Sequence, residues 1–216
     1  MPSAVWHATL VGMESPTVNT PEVARLRRVV RLVAMLNLAY FGVEFAVALV
    51  IGSVSLFADS IDFLEDASIN FLIFAALNWS ARHRARVGMA LAGILLIPGM
   101  ATLWMAWRKF NIPIPPEPFS LSLTGAGALA INLSCAIMLT RFRRHPGGGS
   151  LTRAAFLSAR NDVLANVAIV AAGIITVYLR SAWPDLIVGL GIMLINLDAA
   201  REVYQAAREE HRAAAP

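Results

Sequence analysis

Four carboxylates fall within eight residues, Asp59, Asp62, Glu65 and Asp66, in a stretch otherwise dominated by Leu, Ile, Phe, Ala and Ser. An ionised carboxylate at membrane depth costs on the order of several kcal/mol, so such a cluster needs compensation by a cation, a proton or hydrogen-bond donors. At the helical step of about 100° per residue, Asp62 and Asp66 lie within about 40° of each other, and Asp59 about 60° away on the other side. Three acids therefore share one face, and Glu65 is turned from Asp66. A second apolar stretch carries Asp162, with Ser158 one turn before it and Asn166 one turn after it on the same face. Carboxylates and a hydroxyl from two helices make an anionic, oxygen-lined pocket suited to a divalent cation, with waters in the open positions. Arg160 points roughly 160° from Asp162 and is expected to snorkel or to pair elsewhere.

A blander account has these acids satisfied by hydrogen bonds between helices, or placed nearer to water. Glu44, Asn37 and Asn132 either line a polar path or bond helix to helix. Asp185 and Asp198 fall at the ends of the last apolar run, where capping or interfacial solvation suits them. His7, His83, His145 and His211 all lie outside the apolar runs, so none is expected at the buried site; His83 is the one candidate for a second metal in a loop.

The elements that must hold these groups follow from composition. Hydrophobic residues are 57% of the chain and charged residues 15%, a balance that makes lipid the solvent for most side chains. A span needs about 20 apolar residues, so the 216 residues hold little beyond a membrane bundle. Six apolar segments are read at about 30–50, 54–78, 88–107, 119–140, 154–179 and 183–203. The expectation is an all-α membrane protein of six transmembrane helices. Residues 1–29 are expected to form a cytoplasmic segment, 30–205 the six-helix transmembrane domain and 206–216 a short cytoplasmic tail. Gly52 and Ser53 make a tight hairpin, and the prolines of Asn111 to Pro118 forbid helix between the third and fourth segments.

The formal charge is +4 and the pI near 10, but the arginines sit in short clusters between apolar runs, which excludes a nucleic-acid face. Arg25, Arg27, Arg28 and Arg31, then Arg82, Arg84 and Arg86, then Arg141, Arg143, Arg144 and Arg153, and finally Arg201, Arg208 and Arg212 mark one side. Only Arg108, Lys109 and Arg180 mark the other, and the positive-inside rule puts both termini in the cytoplasm. The lone Cys135 forbids an intramolecular disulfide and reads as a buried thiol. Residues 1–20 lack a basic start followed by an apolar stretch, so no cleavable signal peptide is read.

The halves of the chain echo each other. Asp66 to Asn70 and Asp162 to Asn166 each set an Asn one turn after an Asp, and Leu36-Asn37-Leu38 is faintly matched by Ile131-Asn132-Leu133. Internal symmetry of three-span halves is a transporter signature, with the site at the repeat interface.

Ala58 to Asp66 (Ala-Asp-Ser-Ile-Asp-Phe-Leu-Glu-Asp) and Arg160 to Asn166 (Arg-Asn-Asp-Val-Leu-Ala-Asn) resemble spans two and five of the cation diffusion facilitators. Gly52 to Leu56 and Trp183-Pro184-Asp185 carry the likeness further, over about 30–205. The resemblance implies a proton-coupled exporter of divalent metal, zinc or cadmium first, working by alternating access, and a homodimer in the inner membrane of a bacterium. Its metal ligands would be Asp62, Asp66, Ser158 and Asp162, with protons as counter-ion, and no cofactor or enzymatic activity is implied. Two departures stand out. Ser158 replaces the usual His and hardens the site, which brings manganese or ferrous iron into view, and the cytoplasmic domain that most members carry is missing. The alternatives are a non-transporting regulatory subunit and a magnesium-dependent prenyltransferase-like enzyme, for which Asp59-x-x-Asp62-x-x-x-Asp66 has the spacing but span five lacks the second acidic motif. The small residues Gly125, Ala126, Gly127 and Ala128 would permit a close helix contact between protomers.

Overall fold

Helix is what an apolar chain must form in lipid, since it satisfies its backbone polar groups within each segment. The computed structural model describes residues 21–76, 100–140 and 149–195, with the side chains of 21–23, 26, 72–76 and 149–160 outside that description. The described residues form six helices and no strand: α1 Pro21–Ile51, α2 Val54–Ala76, α3 100–111, α4 Pro118–Thr140, α5 Gly149–Leu179 and α6 Trp183–Ile195. Arg27–Ile51, Pro118–Thr140 and Asn161–Leu179 are long and apolar enough to cross a membrane. At 1.5 Å per residue, the 23 residues of α2 reach about as far as those of α4, but its four acids lower its apolarity. This is an all-helical membrane protein.

α1 extends the apolar segment at 30–50 back to Pro21. Pro is tolerated in a first turn, whose N–H groups have no intrahelical partner, and arginine is a good helix former. The proline-rich connection is shorter than the run from Asn111 to Pro118 suggested. Asn111 still belongs to α3, its amide bonded to the Trp107 carbonyl at 2.7 Å, and Pro118 opens α4, so only 112–117 leave helix. Residues 88–99 of the third apolar segment, and the stretches 1–20, 77–87, 141–148 and 196–216, lie outside the described residues. These hold His7, His83, His145, His211, Asp198 and the basic clusters at Arg82, Arg141 and Arg201.

The α1–α2 turn follows from local chemistry. Gly52 adopts φ 64°, a left-handed conformation that costs glycine nothing, and Ser53 N donates to Ala48 O at 3.0 Å in a Schellman closure. Ser53 then caps α2 by accepting from Leu56 N at 3.1 Å. The turn pairs α1 with α2 as α4 pairs with α5, and the hairpins meet through α1 against α4 and α2 against α5. Leu56, Phe57, Ala58 and Ile61 of α2 pack with Ala48 of α1, Leu121 of α4, Ile169 of α5 and Ile192 of α6 in the largest apolar cluster among the described residues.

α3 and α6 join at the end where α2 begins. Val54, Ala106 and Leu186 form a small cluster there, and Phe110 meets Trp183 edge-on at 6.0 Å. Trp104, Trp107, Phe110 and Trp183 are exposed, as aromatic side chains at a membrane interface are. The four small residues of α4 serve contacts within the chain. A Cβ on Gly125 would meet Ile169, one on Gly127 would meet Tyr40, and Ala128 is fully buried; Ala126 alone is exposed.

Candidate functional site

The acids of α2 face inward as the helical spacing predicts. Asp59 is fully buried, Asp62 and Asp66 are 9% and 5% exposed, and Glu65 is half-buried on the neighbouring face. α5 brings Asp162, half-buried, to the same interior, where its carboxyl is set against that of Asp66 and Asp62 lies within its electrostatic reach. Asp62, Asp66 and Asp162 thus converge on the contact between the hairpins. Asp66 and Asp162 stand side by side with Asp62 farther off, and among the described residues no three His, Cys, Asp or Glu side chains form a ready-made metal cage. The side chains of Ser158 and Arg160 lie outside the described residues.

Asn166, one turn beyond Asp162, bridges helices. Fully buried, it donates its amide to Asp59 Oδ2 and accepts from Asn132 Nδ2 at 3.0 Å. A polar chain therefore runs from α4 through α5 to α2, and it makes Asn132 and Asn166 helix-bridging groups. Asn70, the counterpart of Asn166 in the sequence echo, instead folds back on its own helix and donates to Asp66 O at 2.8 Å. The repeat is present in sequence but its two asparagines do different work. Asn37 of α1 accepts from Cys135 Sγ at 3.8 Å, which accounts for the buried thiol.

Glu44 is the one acid in the apolar part of α1. It is fully buried beside Asp59, and among the described residues no donor group hydrogen-bonds either of its oxygens or Asp59 Oδ1.

A separate polar node lies at the opening of α2. Asp185 of α6, fully buried, accepts from Ser53 Oγ and Ser55 Oγ, each at 2.6 Å, from Val54 N at 3.0 Å and from Ser55 N at 3.1 Å. Lys109 of α3 completes it with a 3.0 Å ion pair and a hydrogen bond to Gly52 O at 2.5 Å. Capping was the expected role of Asp185, yet the helix it caps is α2, 130 residues earlier in the chain. An anion at a helix N-terminus takes up unpaired N–H groups and meets the positive end of the helix dipole. Ser53-x-Ser55 before an apolar run signals a helix start, but nothing local in the sequence points to Asp185 or Lys109 as its partners. α6 reaches the node because Gly189 has no side chain: a Cβ there would stand 2.8 Å from the backbone of Val54 and Ser55.

The sequence profile of the cation efflux transmembrane domain matches residues 30–209. No curated protein matches the chain.

Proposed function

This chain belongs to the cation efflux family, and from that premise we propose that it exports divalent metal, zinc or cadmium first, in exchange for protons by alternating access. The proposed ligands are Asp62 and Asp66 of α2 with Ser158 and Asp162 of α5. Six spans with both termini in the cytoplasm are part of the proposal, by the positive-inside rule, and so are a homodimeric state and a bacterial inner membrane.

The observation that carries the reading is the Asp66–Asp162 pair at the interface of the two hairpins, with the buried Asp62 within electrostatic reach of both. Carboxyls crowded in this way repel one another when ionised and hold protons until a divalent cation displaces them. A cation arriving from the cytoplasm draws the α2 and α5 acids together and releases their protons. Rocking of the α1–α2 hairpin against α4–α5 then turns the site outward, where returning protons displace the metal. The transported ion is the substrate, and the donors are oxygens, which accept zinc and cadmium and also suit manganese or ferrous iron.

The test is flux into liposomes holding the purified protein, with a pH gradient of either sense and an entrapped dye for zinc, cadmium and manganese, beside Asp162→Ala. Gradient-dependent flux that Asp162→Ala abolishes is the expected result, and the order of rates ranks the metals. Sealed vesicles that pass no metal would sink the proposal and favour a regulatory subunit.

A further inference from the structure

The Glu44–Asp59 pair is unused by the metal reading, and its chemistry is incomplete as it stands. Both carboxyls are fully buried and set against each other, yet three of their four oxygens, both of Glu44 and Oδ1 of Asp59, have no hydrogen-bond donor among the described residues. The fourth, Asp59 Oδ2, takes the Asn166 amide. No cationic side chain among the described residues is paired with either. Two ionised carboxylates facing each other in a buried, low-dielectric interior repel strongly; one proton between them supplies a donor.

We propose that Glu44 and Asp59 form a proton-binding site beside the metal site, so that part of the exchanged proton load travels on a pair that does not ligate the metal. The inference rests on the antiport reading above. In one state the pair holds a single proton and a net charge of −1; loss of it leaves −2, and a second proton leaves the pair neutral. The groups facing Glu44 are Asp59 and Asp62 from α2 and Tyr40 from its own helix. Those facing Asp59 are Glu44 and Tyr40 from α1, Asn166 and Asp162 from α5, and Asp62 and Asp66 from α2. α4 enters through Asn132 on Asn166 and through the Thr124 carbonyl, which accepts from the Tyr40 hydroxyl at 2.7 Å. The acids facing the pair are thus those proposed to ligate the metal. A dication among Asp62, Asp66 and Asp162 repels the shared proton, and return of the proton weakens the hold on the dication, which is reciprocal coupling between two sites.

Zinc affinity of purified wild type, Glu44→Gln and Glu44→Asp, measured across pH in detergent with an indicator for proton release, tests this. Each proton displaced adds about tenfold per pH unit to the pH dependence of affinity. Glu44→Gln is expected to keep zinc binding at neutral pH, to release fewer protons per zinc and to lose about tenfold per pH unit of that dependence, with Glu44→Asp restoring both. An unchanged proton count and slope in Glu44→Gln would overturn the proposal, as would loss of zinc binding, which would make Glu44 a metal ligand. If Glu44→Gln elutes aggregated, Asp59→Asn is read by the same criteria. Wild type that binds no zinc, cadmium or manganese would refute the antiport reading itself, and this inference with it, which separates that failure from the others.

Discussion

Replacing Asp185 by alanine should damage this protein more than any other single change at a distance from the carboxylate cluster. The carboxylate is fully buried and takes four hydrogen bonds from Ser53, Val54 and Ser55 besides the Lys109 ammonium. Removing one partner of a buried ion pair costs about 3–5 kcal/mol, because the other charge is left uncompensated. Lys109 keeps the Gly52 carbonyl, which argues for the lower end, about 3 kcal/mol. Losing the cap on Val54 N and Ser55 N adds about 1 kcal/mol, while Leu56 N stays bonded to Ser53 Oγ. The sum of about 4 kcal/mol corresponds to a fall of roughly 10 °C in melting temperature for a chain of this size. Thermal unfolding in detergent micelles followed by tryptophan fluorescence is the assay. The partners are also unequal: without Lys109, Asp185 retains four donors, so Lys109→Met should cost less than half as much. An Asp185→Ala protein melting within about 2 °C of wild type would refute the argument that this node holds α2, α3 and α6 together, and so would a larger loss for Lys109→Met than for Asp185→Ala.

Other outcomes follow from the same kind of reasoning. Gly127→Ala puts a methyl group against the Tyr40 ring and hydroxyl and should cost about 1–2 kcal/mol as Tyr40 leaves the Thr124 carbonyl; Gly42→Ala, with nothing within 4 Å of its added carbon, should be neutral or slightly stabilising by the same melting assay. Asn166→Leu removes the donor to Asp59 Oδ2 and the acceptor for Asn132, and unfolding should show a loss of about 2 kcal/mol from two buried groups left unsatisfied. Glu117, exposed before α4, has its carboxyl held below the usual range by hydrogen bonds from the Ser120 side chain and from the Ser120 and Phe119 amides. A lowered folded-state value means that its support of the helix start is present above the ordinary glutamate range and lost as pH falls through the lowered value. Hydrogen exchange at Phe119 and Ser120, corrected for intrinsic rate, should therefore speed up on acidification, and Glu117→Gln should remove that pH dependence.

Much of this architecture is local, and so legible in the sequence. Apolar runs, Gly52-Ser53 and the prolines before α4 mark helix and turn through the 3.6-residue period and backbone sterics, which involve only neighbours in the chain. The same period put Asp59, Asp62 and Asp66 on one face, and that face is buried. What needed the tertiary structure was partnership across helices. The sequence echo gives Asn70 and Asn166 equal standing, yet packing turns one to its own helix and the other to Asp59. Gly125 and Gly127 look available to a second protomer, but Ile169 and Tyr40 occupy the space beside them. Asp185 was readable as a cap, but not as the cap of α2 with Lys109 in attendance, and Glu44 was one polar residue among several until its oxygens stood without donors against Asp59. A helix's own periodicity says which residues share its face; which face of another helix they meet depends on crossing geometry and register, and these are decided by side-chain packing over the whole bundle.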